Sequence, residues 1–133
     1  MLSINKRNVN IIAYYTSRFL DAETNEDVVE NASYSKLGFQ TRTEFHISIA
    51  NQFGVKQSYV KNMEDSYDSI HGNHRRGWHQ RDLRPAQQQI VDTLSQKDED
   101  ELFVMVKSIM NNNATAALAT LEYKTASDNW GEA

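Results

Sequence analysis

The chain has 133 residues, a length that suits one domain able to bury roughly two thirds of its unfolded surface without disulfides. Because it contains no cysteine, disulfide scaffolds, thiol nucleophiles and cysteine-ligated zinc or iron–sulfur centres are excluded. A formal net charge of −4 argues against a nucleic-acid-binding protein unless the charge is unevenly distributed along the chain.

Five glycines and one proline leave few turn residues for an all-β fold, so we predict an all-α protein. No apolar run approaches the roughly 20 residues that span a bilayer. Residues 1–10 carry Lys6 and Arg7 without a following small-residue cleavage site. We therefore expect a cytoplasmic protein that is neither secreted nor inserted into a membrane.

The first predicted helix covers residues 5–20, where apolar side chains recur at helical spacing. Residues 21–35 turn acidic and polar, and we predict a loop in which Tyr34 and its apolar neighbours dock a short helical turn at most.

A second helix is predicted to begin at Thr41, because Thr41 and Glu44 have the spacing of a capping box. It ends at Gly54, a residue that tolerates left-handed backbone angles. A third helix follows at once over residues 57–67. The apolar residues that share one face of the second helix are Phe45, Ile49, Ala50 and Phe53.

Residues 71–84 show no helical period and are predicted to form a loop or short hairpin. Pro85 is suited to the first turn of a helix that runs to Leu94. The spacing of Ser95 and Asp98 predicts a second capping box, which begins another helix.

That helix is predicted to end at residues 111–113, and an alanine-rich helix is predicted over 114–123. We thus expect one helical domain over residues 1–124 and a flexible tail over 125–133. Its predicted parts are a helix-turn-helix at about 41–67, a basic arm at about 71–84 and C-terminal helices at about 86–123.

Formal charge is unevenly distributed along the sequence. Residues 1–34 carry a net −2, residues 35–91 carry +3, and residues 92–133 carry −5. A basic middle segment therefore lies between acidic ends, and this segment is the region best suited to bind an anionic partner.

The most specific motif surrounds Gly54. A helix-turn-helix needs a small residue in its first helix, a turn residue four positions later and a branched apolar residue six beyond that. Ala50, Gly54 and Val60 have this spacing, and the supporting apolar positions are Ile49, Phe53, Val55 and Met63. Residues 46–65 therefore resemble the helix-turn-helix of prokaryotic DNA-binding proteins. An αα-hairpin with a glycine turn shares part of this pattern, and some copies of the helix-turn-helix motif serve as protein adaptors instead.

The outward residues of this motif suit duplex DNA. Amide and hydroxyl side chains pair with base edges in the major groove, and those available are Gln57, Ser58 and Asn62. Phosphate contacts are predicted for Lys56, Tyr59 and Lys61, and for the start of the preceding helix at Thr41, Arg42 and Thr43. We expect Asp65 to face the phosphates and repel them, so the second helix would dock by its N-terminal half.

The basic arm is the second candidate element. Four arginines, three histidines and one tryptophan lie within residues 71–84. Arg75 and Arg76 are predicted to reach a minor groove, and Arg81 to contact the DNA as well. An alternative is that Arg81 and Arg84 pair with acidic groups of the chain itself. Trp78 is predicted to anchor the arm to the core.

Enzyme functions find little support in the sequence. His71, His74 and His79 lie close together, but no carboxylate or fourth ligand has a zinc-site spacing. No glycine-rich phosphate loop, nucleophile elbow or paired-carboxylate motif is present. We therefore expect a protein without catalytic activity, metal or cofactor.

A looser resemblance, to modules that occur with restriction and other phage-defence proteins of bacteria, extends along the middle of the chain. The residues that carry it are Leu37–Phe39, Arg42, Glu44–His46, Ile49, Ala50, Val55, Lys56, Val60–Asn62, Asp65, Tyr67, Asp68 and Gly77–Arg81. The resemblance implies a DNA-sensing or regulatory domain of a larger system, cut from a longer polypeptide after the asparagine run.

The sequence thus predicts a small all-α domain that binds double-stranded DNA without catalysis, through a helix-turn-helix and a basic arm. Its expected partners are duplex DNA and either a second copy of the chain or a larger regulatory or defence protein. The alternative is a protein-interaction adaptor, in which the acidic flanks bind a basic partner and the central motif is scaffold.

Overall fold

A computed structural model describes residues 2–19, 32–71 and 81–111 of the chain, and these residues form six α-helices and no strand. The all-α prediction is confirmed over this part of the chain. The helices are α1 (Ile4–Arg18), α2 (Ala32–Lys36), α3 (Arg42–Phe53), α4 (Gln57–His71), α5 (Pro85–Leu94) and α6 (Glu99–Met110).

Helix α1 is the centre of the fold. Its N-cap is Ser3, whose hydroxyl accepts a hydrogen bond from the Lys6 N–H at 3.2 Å. Every residue from Arg7 to Ser17 is buried, because the other five helices all pack against α1. A helix buried on every side is usually apolar throughout. This one carries buried polar side chains as well, namely Arg7, Asn8, Asn10, Thr16 and Ser17.

Helices α1 and α4 lie side by side and run in the same direction. Near the start of α4, the Tyr59 hydroxyl accepts a hydrogen bond from Asn10 of α1. Farther along, the ring of Tyr67 packs edge-on against Tyr14, and at the end of α4 His71 Nδ1 lies 2.8 Å from the Ser17 hydroxyl. The N-terminal ends of both helices therefore lie at the same end of the molecule.

Two helices differ from their predicted bounds. Helix α4 extends to His71 instead of residue 67, because its last turn is held by the contact between His71 and Ser17. A short helix, α2, lies at the end of the segment predicted as a loop, where Tyr34 is buried and donates a hydrogen bond to Glu64. Tertiary contacts therefore extend α4 and stabilise α2, and local sequence preference does not predict such contacts.

The predicted caps are largely present. Thr41 caps α3, and its hydroxyl accepts from the Glu44 N–H at 2.9 Å. Pro85 begins α5 and Leu94 ends it, as predicted. Helix α6 begins three residues later than predicted, because its capping box is formed by Asp98 and Glu101 and not by Ser95 and Asp98. Its N-cap is Asp98, which pairs reciprocally with Glu101, while Ser95 ends α5 by donating its N–H to Val91.

Several predictions fall outside the described residues. These are the helix over 114–123, the tail over 125–133, most of the basic arm and most of the loop over 21–35. Among the helices that the structure does describe, none combines the length and apolar character needed to cross a membrane.

Tyr15 is a polar exception within the apolar core between α1 and α6. Its ring packs against Phe19 and Phe103, and its side chain is fully buried. The hydroxyl has no hydrogen-bond partner within the described ranges. Burial, reinforced by the negative charges of Glu99 and Asp100, raises the pKa of Tyr15 to about 12.

The substitution Tyr15→Phe is expected to stabilise the protein. It removes a buried hydroxyl that has no hydrogen-bond partner among the described residues, a gain of about 1 kcal/mol at pH 7. The gain grows with alkaline pH, because tyrosine ionises near pH 10 in the unfolded chain and near 12 when folded. The wild type therefore loses stability between pH 10 and 12, by about 1.4 kcal/mol per pH unit from this residue.

Urea unfolding followed by circular dichroism at pH 7 and pH 11 measures both effects. The matched control is Tyr34→Phe, which removes a buried hydroxyl that donates to Glu64 and is expected to destabilise the protein. A Tyr15→Phe variant less stable than the wild type at pH 7 would contradict the argument.

Candidate nucleic-acid interface

Helices α3 and α4 are consecutive and pack against each other across a three-residue connection, Gly54 to Lys56. Gly54 has the left-handed angles φ 67° and ψ 35°, and its N–H donates to the Ala50 carbonyl. Apart from its chain neighbours, no described residue has an atom within 4 Å of the position that a Cβ would take at Gly54, so the backbone conformation favours glycine here. The Val55 N–H also donates to the Ala50 carbonyl, at 3.1 Å, which fixes the turn.

The residues predicted to face inward in this motif do face inward. Ile49, Ala50, Phe53 and Val60 are buried, and Val55 and Met63 are half-buried against the same core. The pattern around Gly54 therefore identified which side of each helix is packed.

Helix α4 is exposed at its beginning and buried over residues 64–68. Lys56 and the first-turn residues Gln57 and Ser58 are exposed, and Tyr59, Lys61 and Asn62 are half-buried. From Glu64 to Asp68 every residue is buried against α1 and its neighbours. A partner molecule can therefore reach the N-terminal half of α4 but not residues 64–68.

The buried half of α4 is organised around Glu64, which is fully buried and accepts hydrogen bonds from three other helices. Thr16 of α1 and Tyr34 of α2 each donate a hydroxyl to Oε2 at 2.6 Å. From α3, Arg42 Nε donates to Oε1 at 3.2 Å, and His46 Nε2 lies 2.5 Å from the same oxygen. We call these five residues the Glu64 cluster.

Asp65 is also fully buried, which corrects the prediction that it faces the phosphates. Lys61 Nζ lies 2.7 Å from Asp65 Oδ2, and Arg42 Nη2 lies 3.7 Å from Oδ1. One signal for the buried position of Glu64 was present in the sequence, because Val60, Glu64 and Tyr67 follow one another at the spacing of one helix face. Helical spacing alone does not predict burial of a carboxylate, since a buried charge needs partners that other parts of the chain must supply.

The predicted contacts at the start of α3 divide into two groups. Thr41 and Thr43 are exposed at the helix N-terminus. Arg42 points the other way, into the Glu64 cluster, and its side chain is only 18% exposed. Its guanidinium is engaged by two carboxylates and is not among the groups that face solvent at this end of the motif.

Of the three arm arginines predicted to contact DNA, the structure describes one, Arg81. Arg81 is exposed, and its N–H lies 3.3 Å from the Ser69 hydroxyl near the end of α4. Ser69 lies about 18 Å along the helix from Gln57 at 1.5 Å per residue. Arg75 and Arg76 lie outside the described residues, as do Trp78, His74 and His79.

Tyr59 is held in place by groups that the sequence analysis did not single out. Its hydroxyl accepts from Asn10 Nδ2 at 3.0 Å, and Lys6 Nζ lies 5.4 Å from the centroid of its ring. Burial raises the pKa of Tyr59, and the hydrogen bond with Asn10 lowers it to a smaller extent. No signal in the sequence indicated these contacts, because α1 and α4 lie far apart along the chain.

Metal-ligating groups do not converge in the part of the chain that the structure describes, where no three histidines or carboxylates form a metal-binding group. The absence of a metal site in the whole chain stays a prediction, because two of the arm's histidines lie outside that part.

Comparison with known proteins finds no match, whether with a protein-family model, a curated protein or a solved structure.

The substitution Glu64→Ala is expected to destabilise the protein by about 3–5 kcal/mol, because it removes the carboxylate that accepts from buried His46, from half-buried Arg42 and from two buried hydroxyls. The control is Glu99→Ala, which removes a carboxylate whose bond to Lys36 is exposed, and it is expected to cost less than about 1 kcal/mol. Urea unfolding measures both. Equal small losses in the two variants would show that the Glu64 cluster contributes little to stability.

Proposed function

We propose that α3 and α4 act as a helix-turn-helix and that the protein binds duplex DNA, without catalysis, through the N-terminal half of α4. The observation that carries the proposal is the distribution of charge along α4. Its exposed beginning offers Lys56, Gln57 and Ser58, whereas its three carboxylates, Glu64, Asp65 and Asp68, are all buried. The surface that would approach DNA is thus free of the negative charges that the α4 sequence contains.

The chemistry of this surface suits the two kinds of contact that duplex DNA offers. Lys56 is exposed, and no carboxylate of the described residues lies within 4 Å of its ammonium, so its charge is available to a phosphate. Gln57 and Asn62 carry amides, which pair with the N6 and N7 edge of adenine in a major groove. Thr43, exposed at the start of α3, adds a hydroxyl for the phosphate backbone.

Lys61 is expected to contribute less to phosphate binding than its position in the sequence suggests. Its ammonium donates to Asp65 at 2.7 Å, so the pair is close to neutral and a phosphate would have to compete with a buried carboxylate. The net charge of −4 also limits long-range attraction to DNA. We therefore expect binding that depends on a few local contacts, with a modest salt dependence of about 0.9 logarithmic units of affinity per phosphate contacted.

Fluorescence anisotropy of a labelled duplex in a salt series tests the proposal. The logarithm of the affinity is expected to fall linearly with the logarithm of the salt concentration. Lys56→Ala should reduce that slope by about 0.9 and weaken binding equally on all sequences, as expected for a lost phosphate contact. Gln57→Ala should leave the slope unchanged and alter the preferred sequence found by selection from a random pool.

The matched control is Lys97→Ala, which removes the same charge elsewhere. Lys97 belongs to the connection between α5 and α6, and its carbonyl accepts from Arg18, so it lies beside the C-terminal end of α1, away from the exposed end of α4. It should leave affinity and slope unchanged. If the folded wild type does not bind duplex DNA at low salt, the proposal is wrong, and the protein-interaction adaptor becomes the function to test.

A further inference from the structure

Lys6 of α1 lies beside the proposed DNA-binding surface. It is the last exposed residue before the buried stretch of α1, and its ammonium is 5.4 Å from the centroid of the Tyr59 ring. A cation at this distance is attracted to the ring face. Because Tyr59 belongs to the first turn of α4, the charge of Lys6 is held next to the exposed beginning of that helix.

One buried amide fixes this arrangement. Asn10 Nδ2 donates to the carbonyl oxygen of Lys6 at 2.8 Å and to the hydroxyl of Tyr59 at 3.0 Å. Asn10 Oδ1 in turn accepts from the Tyr67 hydroxyl at 2.7 Å. Asn10 thus hydrogen-bonds both the backbone of Lys6 and the hydroxyl of Tyr59, whose ring lies near the Lys6 ammonium. A cation ordered in advance loses less conformational freedom when it binds a ligand.

The charge of Lys6 is not neutralised by a neighbouring carboxylate. Among the described residues, none lies within 4 Å of its ammonium. By contrast, Lys61 donates to Asp65 and Lys36 donates to Glu99. Lys6 and Lys56 are therefore two cations near the beginning of α4 that keep their charge for an external anion.

We infer that Lys6 is a phosphate-binding residue and that α1, through it, forms part of the DNA interface. The inference rests on the proposed function, because the ligand is the phosphate backbone of the duplex that α4 would engage. A contact from Lys6 to phosphate is independent of base sequence. It would fix the position of α4 on the backbone, while Gln57 and Asn62 contact the bases.

The test measures binding of the full chain to two labelled duplexes of different sequence, by fluorescence anisotropy between 50 and 200 mM salt. Lys6→Gln is expected to reduce the salt slope by about 0.9. The ratio of wild-type affinity to variant affinity should therefore fall about 3- to 4-fold between 50 and 200 mM salt. This ratio should be the same on both duplexes. Lys6→Arg keeps the charge and the contact with the Tyr59 ring, and it should restore the wild-type slope.

Lys97→Gln serves as the matched control, since it removes the same charge from a residue that lies beside the opposite end of α1. If the wild type binds with a salt-dependent affinity but Lys6→Gln has the wild-type slope, the inference is overturned and the proposed function stands. Equal losses in Lys6→Gln and Lys97→Gln would also overturn it, because the effect would then be one of net charge. If the wild type does not bind DNA at all, the proposed function fails and the inference fails with it.

Discussion

A single buried carboxylate, that of Glu64, joins four helices of this protein. Thr16 from α1, Tyr34 from α2, and Arg42 and His46 from α3 all reach its two oxygens from different sides. Removing a carboxylate from water costs several kcal/mol, so the arrangement is stable only while charged and hydroxyl donors surround it. The mutual positions of the helices are therefore set by directional bonds as well as by apolar packing, which alone tolerates rearrangement.

The same cluster determines which part of α4 faces solvent. Since Glu64 and Asp65 are directed inward, α4 has one orientation about its axis, and that orientation leaves Lys56, Gln57 and Ser58 outside. Arg42 takes part in this by contacting both carboxylates. The residues that the sequence assigned to phosphate binding thus include one whose role in the fold is to hold the α3–α4 pair together.

Local sequence signals predicted the helices well and the polar interior poorly. Thr41, Gly54 and Pro85 lie at helix ends as predicted, because capping and backbone conformation depend on near neighbours. The inward positions around Gly54 followed from helical spacing. The burial of Glu64 and Asn10 was not foreseen, since it depends on partners 18 to 57 residues away. Docking of Tyr34 was predicted, but its hydrogen bond to Glu64 was not. Whether a polar side chain is exposed depends on those distant partners, which spacing and composition do not reveal.

The side-by-side, same-direction packing of α1 and α4 has a consequence for how the chain folds. Hydrogen bonds between these helices join residues 48 to 57 positions apart, so the central helix finds its main partner only after the intervening chain has been arranged. Such non-local contacts slow folding compared with a bundle of antiparallel neighbours. At a synthesis rate of about 5–20 residues per second, α1 also leaves the ribosome several seconds before α4. Before α4 is synthesised, the asparagines, threonine and serine of α1 can hydrogen-bond with water, whereas an entirely apolar segment would be more prone to aggregate.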